Sequence, residues 1–146
     1  MAKIRIGIVG TGGMATAHAN HFKSIPGVEL AACMDVVPDR AQAFADTHGV
    51  KHPLTELSDV LDACDAISIV TPDQYHVPIL LDAFQADKHV LTEKPLALTL
   101  DEAKKAARAA VKATDRGLVH LINFSHRSPA FHKARRLVES GRLGEL

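Results

Sequence analysis

The sequence predicts an α/β domain: a doubly wound parallel sheet with helices on both faces. Three observations predict it. Short apolar runs alternate with helical patterns along nearly the whole chain. The runs are close to continuously apolar, as strands covered on both faces should be, rather than alternating in period two. A glycine-rich turn, Gly10-Thr11-Gly12-Gly13, joins the first run to the first helix. With 146 residues, 47% of them apolar, there is room for one such domain and its core but not for two.

The elements follow in order. Ile4 to Val9 is a strand, Gly10 to Gly13 a tight turn, and Ala15 to Ile25 a helix that stops at Pro26-Gly27. Val28 to Met34 is the second strand. Pro38-Asp39 opens a helix ended by Gly49, and a weak strand is expected near Lys51 to Leu54. A short helix over Glu56 to Ala63 leads to a strand at Ala66 to Val70. Tyr75 to Ala86 is helical, His89 to Thr92 is a strand, and Asp101 to Arg116 is the longest helix, with Thr99 or Asp101 as its cap. Leu118 to Phe124 is a further strand. Ser128-Pro129 starts a last helix that stops at Gly141. Residues 1–127 then form the nucleotide domain, and residues 128–146 a linking helix with the start of a second domain. Repeated β-α-β units of this kind take right-handed crossovers.

Composition narrows the function classes. Seventeen basic and seventeen acidic residues give no net charge, and the basic ones fall mostly in helical patterns, so neither nucleic acid nor an anionic membrane is an expected partner. No apolar stretch approaches the ~20 residues of a membrane span, and the N-terminus enters a strand at once, without a signal-peptide pattern. Cys33 and Cys64 are expected to be free thiols, which places the protein in a reducing cytoplasm. His18-x-x-His21 lies at helical spacing, but no third ligand with suitable spacing accompanies it, so no metal site is expected. A nucleophile elbow and an ATP-type phosphate loop are both missing.

In an open parallel sheet, ligands sit beyond the carboxyl ends of the strands, so residues immediately after strands carry the chemistry. Gly10-Thr11-Gly12-Gly13-Met14-Ala15 fits G-x-G-x-x-A. Gly10 permits the turn, Gly12 lets the backbone approach a pyrophosphate, Ala15 allows close helix packing, and the helix N-terminus faces the phosphates. This makes the domain Rossmann-type. Asp35 ends the second strand, about 20 residues on, where a carboxylate can accept from the adenosine ribose hydroxyls; a simple strand-end turn residue is the bland alternative. A 2′-phosphate would meet like charge there, so NAD is expected over NADP, although Arg40 can still reach a phosphate or cover the adenine. Thr71-Pro72 and His76 follow the Ala66 to Val70 strand; His76 either points toward the nicotinamide ribose or lies on a helix surface. Glu93-Lys94-Pro95 follows the His89 to Thr92 strand and places an amine beside the cofactor, unless Lys94 is an exposed loop lysine paired with a carboxylate. Lys94-Pro95 is open to the cis isomer.

These elements, together with Asn123-Phe124-Ser125-His126-Arg127, occur in the order and spacing of a known family. The chain resembles the N-terminal part of the glucose–fructose oxidoreductase / inositol dehydrogenase / MocA-like family over essentially its whole length. The resemblance implies a Rossmann domain followed by a substrate domain, and an NAD(P)-dependent oxidoreductase acting on sugars, inositols or related polyols. It gives Lys94 the role of the lysine that contacts the reacting hydroxyl or carbonyl, and desolvation would bring such an amine toward neutrality. Glu93 and Pro95 would shape the nicotinamide pocket. Thr71, Pro72 and His76 would line the ribose side, Asn123 would lie near the carboxamide, and Arg127 at the domain junction. The family's members are longer, so the chain is expected to be C-terminally truncated and to bind nucleotide without turnover, within a homo-oligomeric parent. The rival reading is a non-catalytic NAD(P)-sensing regulatory module of the same fold.

Overall fold

The first strand, β1 (Ile4–Val9), runs straight into the glycine turn and α1 (Gly13–Lys23). The computed structural model describes residues 3–124 and 128–144. After α1 come β2 (Val28–Met34), α2 (Pro38–His48), β3 (His52–Leu54), α3 (Leu57–Ala63) and β4 (Ala66–Ile69). A single 3₁₀ turn, Asp73–Tyr75, precedes α4 (His76–Gln85), and β5 (His89–Thr92), α5 (Leu100–Asp115), β6 (His120–Ile122) and α6 (Pro129–Glu139) complete the order. All six strands are parallel, in the order β3-β2-β1-β4-β5-β6. The connections reverse direction between β1 and β4, which makes that pair the topological switch point.

The alternation of side chains along β1 divides the core. Ile6 and Ile8 point to the face covered by α1 and α2, where they meet Ala15, Ala19, Phe44 and Ala45. Val9 points to the other face, with Val60, Leu61, Val77, Leu80 and Phe84 from α3 and α4 and Ala106 and Ala113 from α5. Gly7 is on this second face for a steric reason: a Cβ there would lie 2.5 Å from Val60 Cγ1 and 2.9 Å from Cys64 Sγ. Cys33 and Cys64 are buried free thiols, and burial pushes both up to about 11, which keeps them protonated and unreactive.

Element ends differ from the sequence expectation where local hydrogen bonding decides them. α1 starts two residues early, because Gly12 caps it with its own backbone and Ala15 N donates to Gly12 O at 3.0 Å. Thr99, not Asp101, caps α5, in a reciprocal pair with Glu102: Glu102 N donates to Thr99 Oγ1, and Thr99 N to Glu102 Oε2, both at 3.2 Å. β6 has three residues where a longer strand was expected, since its ladder can extend only as far as Val90–Thr92 of β5. α6 contains no buried residue. No helix among the described residues is long and apolar enough to cross a membrane.

Candidate functional site

The carboxyl ends of the strands are knitted into one row. Asp35 N donates to Leu54 O, Gly10 N to Met34 O, Val70 N to Val9 O, Glu93 N to Ile69 O and Asn123 N to Thr92 O, at 2.8 to 3.2 Å. Each residue just past a strand is therefore tied to the end of the strand beside it. Asp35 and Glu93 stand three strand spacings apart, about 14 Å, a reach that suits an extended dinucleotide.

The glycine turn sits at the switch point. Gly10 has φ +92°, and a Cβ on it would lie 2.9 Å from Thr71 N, so only glycine lets β1 and β4 close up here. Gly12 and Gly13 are different: nothing lies within 4 Å of where their Cβ atoms would be. The N-terminus of α1 therefore opens into space, without a side-chain cap and without an acidic residue in its first turn. Its amides and dipole are left for an anion. Met14 is exposed beside them, while Ala15 is fully buried against the sheet, as close packing requires.

Thr11 does more than fill the turn. Its amide and hydroxyl both donate to Asp35 Oδ2, at 3.1 and 2.8 Å, and Val37 N donates to Oδ1 at 3.0 Å. Burial alone would raise the Asp35 carboxyl, but these bonds and the charge of Arg40 outweigh it and hold the group below its usual range. Asp35 is thus an oriented anion. It stands in a groove of about 360 Å³ with Arg40, Val36, Leu57, Tyr75 and Ile79, flanked by Gly10, Thr71 and Pro72. Apolar walls with a carboxylate beside them fit an adenosine, base on the walls and ribose hydroxyls on Asp35. Tyr75, Leu57 and Ile79 are not among the site residues read from the sequence; only Tyr75, the sole tyrosine and next to His76, offered a signal.

His76 takes a place neither sequence alternative foresaw. Its ring is 1% exposed, neither on a helix surface nor open to a cofactor. Nδ1 lies 2.7 Å from Pro95 O and Nε2 2.9 Å from Thr71 O. It braces the two loops that flank the site from beneath. Thr71 Oγ1 is buried without a hydrogen-bond partner among the described residues.

Glu93 is also buried, and three groups converge on it, one of them held in turn by Ser68. Oε1 accepts from Asn123 Nδ2 at 2.7 Å and faces His18 Nε2 at 2.9 Å, Oε2 accepts from Lys94 N at 3.2 Å, and His18 Nδ1 lies 2.8 Å from Ser68 Oγ. Burial pushes the Glu93 carboxyl up, but the bonds from Asn123, His18 and the Lys94 amide more than reverse this. His18, weighed in the sequence as half of a His-x-x-His pair, is engaged by Ser68 and Glu93 instead. No cluster of metal-ligating side chains occurs among the described residues. Lys94 and Pro95, joined by a cis peptide bond, are exposed above Glu93. Nothing among the described residues desolvates the Lys94 amine. Arg127, with Ser125 and His126, lies outside the described residues.

The family model described as an oxidoreductase family with an NAD-binding Rossmann fold, GFO_IDH_MocA, matches residues 4–121. The chain belongs to the Gfo/Idh/MocA family. It corresponds to that family's NAD-binding Rossmann domain. The chain is 37% identical to an inositol 2-dehydrogenase of Rubrobacter xylanophilus, over 97% of this chain and 41% of that protein. A scyllo-inositol dehydrogenase from Lactobacillus casei, solved with NAD(H) and scyllo-inositol, superposes with a TM-score of 0.86 at 28% identity, over 97% of this chain and 42% of that one. A mutant 3-ketoreductase from Actinomadura kijaniata, in complex with TDP-benzene and NADP, also reaches 0.86 at 27% identity, over 99% and 46%. The chain thus spans less than half the length of these Gfo/Idh/MocA proteins, and both nicotinamide dinucleotides occur among them.

Proposed function

We propose that this chain is the cofactor half of an NAD-dependent dehydrogenase of sugars, inositols or related polyols, with Lys94 as its catalytic residue. The observation that carries the proposal is the row at the sheet's carboxyl edge, with an adenosine groove at Asp35 and an exposed amine at Lys94. Bound nicotinamide would supply a two-electron hydride acceptor. The chain's residues do the rest: the amides at Gly12 to Met14 hold the pyrophosphate, Asp35 the ribose, and Arg40 and the apolar walls the adenine. Thr71, Pro72, Pro95 and Asn123 surround the other end. There Lys94 donates a hydrogen bond to the reacting oxygen or shuttles its proton. Asp35 disfavours a 2′-phosphate, which supports NAD over NADP.

The substrate domain would follow residues 128–146 and cover Lys94, supplying the desolvation this domain lacks. Inositol dehydrogenases among the relatives support a polyol substrate. The buried free thiols support a cytoplasmic location, and the family resemblance a homo-oligomeric parent.

Calorimetry on this chain is expected to show NAD binding more tightly than NADP; the reverse order removes the reading of Asp35. In a longer protein carrying this domain with its substrate domain, Lys94→Ala should abolish polyol oxidation with cofactor affinity intact. Turnover that survives the substitution removes the catalytic assignment.

A further inference from the structure

His18 lies on α1, close to the glycine turn. Its ring is 5% exposed, too buried to meet a ligand. Ser68 Oγ stands 2.8 Å from Nδ1, Glu93 Oε1 stands 2.9 Å from Nε2, and Phe22 packs edge-on with ring centroids 6.3 Å apart. A carboxylate only accepts, so His18 Nε2 carries the proton and donates it to Glu93. The same oxygen receives the Asn123 amide, and the other oxygen receives the Lys94 main-chain N–H. One buried carboxylate thus joins the pyrophosphate helix α1 to the ends of β5 and β6. A glutamate has three side-chain torsions, and a buried anion that loses a donor turns toward whatever donors or water remain. Glu93 without His18 would take the Asn123 amide and the Lys94 backbone with it.

We infer that His18 is a positioning residue for the reactive end of the site. It fixes the Glu93 carboxylate, and through it the Asn123 amide and the Lys94 main chain, so that seating a dinucleotide on α1 and presenting its nicotinamide to Lys94 are mechanically linked. The inference rests on the cofactor reading proposed above, with the nicotinamide end at Lys94 and Asn123.

ADP-ribose separates the two. It carries the adenosine and pyrophosphate of NAD but lacks the nicotinamide, so the ratio of NAD to ADP-ribose affinity reports the reactive end alone. Calorimetry on the wild-type chain should show NAD as the tighter ligand. His18→Leu should reduce that ratio about fivefold, the loss of one hydrogen bond to a buried group, with ADP-ribose affinity nearly unchanged. His18→Gln, whose amide can donate to Glu93, should restore most of the ratio. Ser68→Ala, which releases the other side of the ring, should shift it in the same direction by a smaller factor. Should His18→Leu not fold, the Gln and Ser68→Ala variants decide. An unchanged ratio in the folded variants, or equal weakening of both ligands, overturns the inference and assigns His18 to the packing of α1. A wild-type chain that binds neither ligand overturns the cofactor reading as well.

Discussion

The two ends of the site are built differently. At the Asp35 end, the carboxylate is 9% exposed, bonded by Thr11 and Val37, and set in an apolar groove lined by this domain. At the lysine end the carboxylate beneath is just as buried and bonded, but Lys94 and Pro95 stand above it in the open. The proposed nucleotide end is therefore fully walled by this domain, whereas the proposed catalytic amine is left uncovered by it.

The largest effect expected from this contrast is at Gly10. Gly10→Val puts a branched side chain at φ +92° and against Thr71 N, which should cost about 3 kcal/mol of stability and abolish NAD binding; chemical denaturation and calorimetry check both. Wild-type affinity in that variant would break the assignment of the turn. Asp35→Ala comes next: removing the acceptor of three bonds should cost about 2 kcal/mol and lower NAD affinity by more than tenfold while NADP changes little. The pH dependence is a third and smaller effect. Asp35 and Glu93 have carboxyls held below their ordinary values, so their stabilisation is present above pH about 4 and is lost as pH falls through the folded values. A Glu93→Gln chain should show a shallower loss of stability between neutral and acid pH than wild type. The smallest effect belongs to Lys94→Ala, expected to leave the melting temperature and NAD affinity of this chain near wild type, because an exposed side chain is all that is removed. A drop in stability of more than about 1 kcal/mol there would show that the lysine end is not open as described.

Much of this architecture was legible in the residues. The β-strands announced themselves as apolar runs, and the glycine turn and Asp35, read from the sequence as parts of one site, do lie together, with Thr11 bonded to Asp35. What was hidden depends on the sheet order. His18 lies on α1 and Ser68 on β4, while Glu93 and Asn123 directly follow β5 and β6, and only the strand order β1-β4-β5-β6 brings them together. His76 was ambiguous for a related reason: helical spacing tells that a residue opens a helix but not that two carbonyl oxygens, Thr71 O and Pro95 O, await its ring. The groove walls Leu57 and Ile79 carry no chemical signature at all; they are ordinary apolar residues until the fold sets them beside Asp35.

The Thr11–Asp35 bond joins residues 24 apart in the chain, whereas the His18–Glu93 bond joins residues 75 apart. Loop-closure entropy grows with the logarithm of that separation, which makes the longer link about 1 kcal/mol harder to close. The Thr11–Asp35 clasp is a nearly local structure; the scaffold under Lys94 exists only when the centre of the sheet is already assembled. Any fluctuation that parts β4 from β5 dismantles the Glu93 network while leaving the Thr11–Asp35 clasp joined.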